Sequence, residues 1–229
     1  MFALNKLMLE CLLYINELRS YWFETVSSLL FYLLLMLGIY WMASSDGLSN
    51  KTNLVAHMTW VVSAGLFTSL VMIAKTDVTN KVLEVMHTFP MSYSKILFIK
   101  SVARAPYDFS VMLLTLLLIF VAFKPSVTFF DVLGDVVVLY LYVVPFVYSF
   151  ALVSCGLIIA FKRAEVFVVL GNALIGLSAY AYVKSGSPPI AVLLDGIYFA
   201  SALVSLLGSY LIFYKLRSWT LKKGALGHI

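Results

Sequence analysis

Side chains able to do chemistry are few in this chain of 229 residues, and they do not gather. The three histidines, His57, His87 and His228, share no metal-ligand spacing. Cys11 lies in an N-terminal amphipathic segment and Cys155 deep in an apolar run, an arrangement that argues against a disulfide between them. Gly176-Leu177-Ser178-Ala179 superficially resembles the serine turn of an intramembrane protease. No histidine follows in a later apolar segment to serve as its base, since His228 falls in the tail. Asp46-Gly47 and Asp195-Gly196 are isolated and lack the clustered aspartates of a metal-dependent phosphotransferase. No G-x-x-x-x-G-K-[ST] phosphate loop occurs. The chain therefore reads as a non-enzyme with no cofactor or metal of its own.

What remains is a set of weakly polar residues inside apolar runs: Ser63, Thr68, Ser69, Ser154, Asn172 and Ser178. Such groups mostly bond their own helix or a neighbouring one. The small-residue stripes Gly171–Ala173–Gly176 and Ser201–Ser205–Gly208 read as helix-packing seams. Glu24, Asp108 and Asp135 fall near the expected ends of apolar segments, where a carboxylate reaches interfacial water. No ionisable residue is then expected near the middle of a span. That argues against a proton-coupled carrier, which needs an ionisable relay at depth. It also points to an apolar or amphipathic solute over a highly charged one.

The elements that must position these residues are membrane helices. A chain that is 62% hydrophobic, 12% charged and has a mean hydropathy of +0.99 is not an ordinary soluble domain. Six apolar segments are predicted, at Trp22–Ala43, Leu54–Ala74, Tyr107–Phe123, Val136–Phe161, Val166–Val183 and Ile197–Tyr214. Each approaches the roughly 20 residues that cross about 30 Å of hydrocarbon. Pro145 implies tilt or a kink in the fourth. Residues 1–20 repeat apolar side chains at three and four positions, as an in-plane amphipathic helix does. Glu10 interrupts that run and no small-residue cleavage site follows it, which sets the segment apart from a signal peptide.

Charge sets the expected orientation. Thirteen of the sixteen Lys and Arg residues fall on the side that holds both termini, and only Lys51, Lys124 and Lys184 on the other. By the positive-inside rule both termini, including the basic tail 215–229, are cytoplasmic. The pI of about 9.1 thus follows membrane sidedness, with no basic patch for nucleic acid. On the outer side, Pro188-Pro189, the apolar Ile190 to Leu194 and Asp195-Gly196 leave two readings open, a partly re-entrant segment or simple interfacial packing.

The longest polar interval runs from Lys75 to Arg104 and reads as two short helices. In the first, Val78, Val82, Val85, Met86 and Phe89 share one face, with Thr79, Lys81, Glu84, His87 and Thr88 opposite. Pro90 stops it, Ser92 or Ser94 can cap the next, and Pro106 closes that one after Arg104. Its plain reading is an amphipathic loop on the membrane surface, and its sharper one a docking element for a soluble partner.

Leu83-Glu84, Pro90, Ser92, Ile96-Leu97 and Lys100 follow the pattern L-E-x5-P-x-S-x3-I-L-x2-K. That pattern resembles the loop between the second and third spans of type-2 ABC-exporter permeases. This chain has Lys81-Val82 where the family usually has Gly-Thr, and keeps Asp77 from its charged lead-in. The resemblance implies a single permease domain over 1–229: an elbow helix at 1–20, six spans, and a cytoplasmic coupling loop at 75–105. It implies that Lys81, Val82, Leu83, Glu84, Val85, Met86, Phe89 and Pro90 meet a separate ATPase subunit, which binds ATP and Mg. A second copy or a paralogue would complete a dimer in the cell membrane. In this family the second and fifth spans contribute most to the pathway, which here selects Thr68, Ser69, Asn172 and Ser178. The alternatives from other classes are an uncoupled carrier or channel, and a membrane assembly or anchoring subunit.

Overall fold

The computed structural model describes residues 2–45, 51–80, 92–161, 165–184 and 196–222. Among them the regular structure is entirely helical: α1 (Phe2–Ser20), α2 (Trp22–Ser45), α3 (Lys51–Thr79), α4 (Tyr93–Phe123), α5 (Phe129–Phe161), α6 (Glu165–Lys184) and α7 (Gly196–Lys222). Four stretches, Lys51–Thr79, Tyr93–Phe123, Phe129–Phe161 and Ile197–Thr220, are long and apolar enough to cross a membrane, and α6 adds a shorter apolar stretch at Val166–Leu177. The chain is a multi-pass membrane protein. Its periphery agrees: Phe31, Leu34, Leu177, Phe199 and Val204 are each at least 62% exposed. Water would penalise so wide an apolar surface, whereas hydrocarbon solvates it.

α3 is the axis. It packs on α4, α5 and α6, while α7 lies along the far side of α5, and α1 and α2 lie against α4. Packed pairs give the directions. Phe67 of α3 meets Gly171 of α6 and Trp60 meets Gly176, so these helices are antiparallel. Phe67 stacks on Phe150 and Cys155 donates to the Leu70 carbonyl, so α3 and α5 are parallel. Two apolar clusters fill the interior. Leu66, Phe67 and Leu70 of α3 join Cys155 of α5, Ile175 of α6 and Phe213 of α7. Nearer the other end, Met58 and Val62 join Tyr40 of α2, Met112 and Leu116 of α4 and Val136 of α5.

α3, α4 and α5 overshoot the spans expected of them. With 29, 31 and 33 residues they are about 44, 46 and 50 Å long at 1.5 Å per residue, against about 30 Å of hydrocarbon. α3 continues through Asp77 and Val78, which are buried, so Val78 belongs to the last turn of this helix and does not begin a separate amphipathic one. α4 runs unbroken through Pro106, which was expected to close a short helix. A proline removes one backbone donor and crowds the preceding turn, but membrane helices tolerate it. Here Pro106 is exposed on the helix surface. α5 likewise passes through Pro145 as one helix. Ser92 is the N-cap residue of α4, as one of the two expected serines, but its side chain bonds no helix N–H. Its Oγ instead lies 3.3 Å from that of Ser94.

The two small-residue stripes behave differently. A methyl group on Gly171 would sit 2.2 Å from the Phe67 ring, and one on Gly176 3.0 Å from the Trp60 indole nitrogen, so that stripe is a seam between α3 and α6. A methyl on Gly208 would meet nothing, and Ser201 is exposed: the α7 stripe faces outward, while Tyr198, Ala202, Ser209 and Phe213 are buried. Gly171→Ala is therefore expected to lower stability by about 2 kcal/mol through overpacking against Phe67. Gly208→Ala should change it by less than about 0.5 kcal/mol. Thermal unfolding of the two purified variants in the same detergent checks the contrast.

Candidate functional site

Thr68 of α3 faces α6, and Ser69 is the next residue along α3. Asn172 occupies the turn of α6 after Gly171, the residue whose missing side chain lets the two helices close. The Asn172 amide nitrogen donates to Thr68 Oγ1 at 3.1 Å, and the Thr68 hydroxyl lies 3.3 Å from Asn172 Oδ1. The Trp60 indole N–H donates to the Asn172 backbone carbonyl at 3.2 Å. Three polar groups that hydrocarbon would penalise are thus satisfied across one seam.

These residues line a cavity of about 340 Å³ between α2, α3, α4 and α6. Leu29, Val61, Ala64 and Val111 give it apolar walls, and Trp60 and Tyr107 aromatic ones. The structure brings Thr68, Ser69 and Asn172 to this one cavity. Ser178 belongs to the last half of α6, and its side chain lies outside what is described. The positions read as an ATPase-coupling surface, Lys81, Val82, Leu83, Glu84, Val85, Met86, Phe89 and Pro90, lie outside the described residues, as does the apolar outer loop at 185–195.

The cavity also holds a carboxylate. Asp108 was expected at a span end, in reach of interfacial water. With α4 continuous through Pro106, it is the middle residue of a 31-residue helix. It lies against Gly65, the middle residue of α3, where a methyl group would stand 3.4 Å from the Asp108 carboxyl carbon. Its carboxylate makes no hydrogen bond or ion pair with a described residue. The nearest opposite charge, Arg104 one turn earlier, is already engaged, 3.7 Å from Glu17 Oε2 and 4.9 Å from the centre of the Tyr14 ring. Asp108 is thus an ionisable side chain that lines the interior of the helical bundle. By contrast Asp135 sits near a helix start as expected, paired with Lys51 at 2.8 Å.

A second polar cluster lies where α3 ends and α4 begins. Asp77 is 5% exposed, accepts the Tyr93 hydroxyl at 2.9 Å, and lies 3.3 and 3.4 Å from Lys100 Nζ. Tyr93 is itself buried, stacked 6.2 Å from Phe213 of α7. A cavity of about 380 Å³ lies beside this pair, bounded by α1, α3 and α4 and lined by Glu10, Tyr14, Glu17 and Arg104 among others. Burial between α1 and α4 pushes the Tyr14 hydroxyl up to about 12, so it stays neutral and serves as a ring for Arg104 to cover. No protein-family model, no curated protein and no solved structure matches this chain.

The two partners of the Asp77 pair are buried unequally, with side-chain exposures of 8% for Asp77 and 24% for Lys100. Removing the lysine strands the more deeply buried charge, so Lys100→Met should cost about 3 kcal/mol. Asp77→Asn leaves an ammonium that can reach water and should cost about 1.5 kcal/mol. Unfolding titrations of the purified variants in mixed micelles measure this order.

Proposed function

We propose that this chain is the membrane permease subunit of an ATP-driven exporter of the type-2 ABC class, moving an apolar or amphipathic substrate with ATP hydrolysed by a separate subunit. The observation that carries the reading is the pattern from Leu83-Glu84 to Lys100, which spans the connection between α3 and α4. Two residues beside that connection, Asp77 and Lys100, form the ion pair that ties the two helices together at its base. A push on residues 81–91 would be delivered to α3 and α4 jointly, and these are two of the four walls around the Thr68–Asn172 cavity. In this reading α1 is the elbow helix, α2 to α7 are six spans, and both termini are cytoplasmic. The ATPase subunit binds ATP and Mg, and a second copy or paralogue completes a dimer in the cell membrane, its outer surface covered by lipid.

Asp108 favours a second reading, a carrier driven by a cation gradient, because an ionisable residue at depth is what such carriers use. Affinity purification in mild detergent followed by mass spectrometry separates the two. A co-purifying protein with a phosphate loop supports the permease; its absence from active preparations supports the carrier.

The coupling surface has its own test. Phe89→Ala should weaken ATPase association by about 2 kcal/mol or more, as loss of an aromatic anchor does. Glu84→Lys should reduce ATPase retention without lowering the amount of inserted permease, since a rim charge fixes register. If 81–91 is a lipid-surface helix, neither variant changes retention, and Glu84→Lys strengthens attachment to anionic lipid. Retained ATPase per inserted permease is the quantity to compare.

A further inference from the structure

We propose that the cavity between α2, α3, α4 and α6 binds an amphipathic organic cation, with the Asp108 carboxylate as its counter-charge. The proposal rests on the permease reading only for the step from binding to transport. An ionisable side chain inside a membrane bundle is costly and needs a partner. Two other aspartates have one: Asp77 has Lys100 and Tyr93, and Asp135 has Lys51. Asp108 makes no hydrogen bond or close ion pair with a described residue; the Arg104 guanidinium one turn earlier acts on it only from a distance and contacts Glu17 and Tyr14 on the α1 side. Its carboxyl group packs against Gly65 of α3 and lines the cavity.

The surroundings select the kind of cation. No group of three His, Cys, Asp or Glu residues that could hold a metal ion occurs among the described residues. Leu29, Val61, Ala64 and Val111 cannot replace the water shell of a small inorganic ion, but they suit the hydrocarbon part of an organic one. Trp60 and Tyr107 add aromatic rings to the lining, and aromatic rings attract an ammonium or aromatic cation. Thr68 and Asn172 add the few polar groups that orient a ligand in an otherwise apolar pocket. A volume of about 340 Å³ is that of a small drug-like molecule. An anionic solute would meet the carboxylate and be repelled.

The test compares two fluorescent probes on the full chain in nanodiscs, with protein-free nanodiscs as baseline: ethidium, an aromatic cation, and N-phenyl-1-naphthylamine, an uncharged apolar amine. Asp108→Asn should weaken ethidium binding at least about tenfold, equivalent to about 1.4 kcal/mol. It should leave the neutral probe within about twofold, and Asp108→Glu should restore ethidium. Thermal unfolding of each variant identifies any that fail to fold, and the Asp108→Glu result then decides. Unchanged ethidium affinity in Asp108→Asn overturns the proposal, as does an equal loss of both probes or a failure of Asp108→Glu to bind ethidium. The readout needs no ATPase. Ethidium binding through Asp108 with no co-purifying ATPase would sink the permease reading and leave this one standing, and the reverse pair of results would do the opposite.

Discussion

Gly171 lets α6 come down onto Phe67 of α3, and the arrangement of the second half of the bundle follows from that approach. The Phe67 ring fills the space where a Gly171 side chain would be and stacks on Phe150 of α5 at 5.3 Å. One side chain therefore spaces three helices. Between helices in lipid there is no hydrophobic driving force, because the tails are as apolar as leucine. Close packing and interhelical hydrogen bonds have to supply the association. The Trp60 and Thr68 bonds to Asn172 sit on the same seam and depend on the same closeness.

The rest of the polar inventory obeys the constraint that hydrocarbon cannot hydrate a stray donor or acceptor. Ser149 donates to the Pro145 carbonyl, Thr115 to that of Val111 and Ser209 to that of Leu206, each within its own helix. Charges pair near helix ends, as Lys51 with Asp135 and Lys100 with Asp77. Among the described residues the departures are the half-buried Asp108 carboxylate, which has no hydrogen bond or close ion pair, and three buried atoms of α3, His57 Nε2, Thr59 Oγ1 and Ser63 Oγ, which have no hydrogen-bond partner. The first of these lines a cavity, and a departure beside open space is where function is to be sought. Apolar residues outside and a carboxylate inside reverse the pattern of a soluble helical protein, and the solvent is the reason.

Much of the architecture was legible in the residues alone. Apolar runs of spanning length announced helices in a membrane, because only helices satisfy every backbone group within one segment there. The small-residue run around Gly171 announced a close seam, since small side chains are what let two helices touch. The choice of Thr68, Ser69 and Asn172 as one group drew on a resemblance, and the fold places them around one cavity. What failed was local. Pro106 was read as a stop, because a proline does end most helices in water. A membrane helix lacks water to compete for its freed carbonyl, and it continues.

That single difference moved Asp108 from a helix end to the middle of one. The sequence by itself determined the solvent this chain lives in, the helical class and the residues small enough to pack, since those depend on composition and spacing. Only the tertiary structure decided which of two small-residue stripes is a seam, that Asp77 and Lys100 meet across 23 positions, and that Asp108 lines a cavity beside Gly65. Each of these is a relation between helices, and a relation between helices is not written along any one of them.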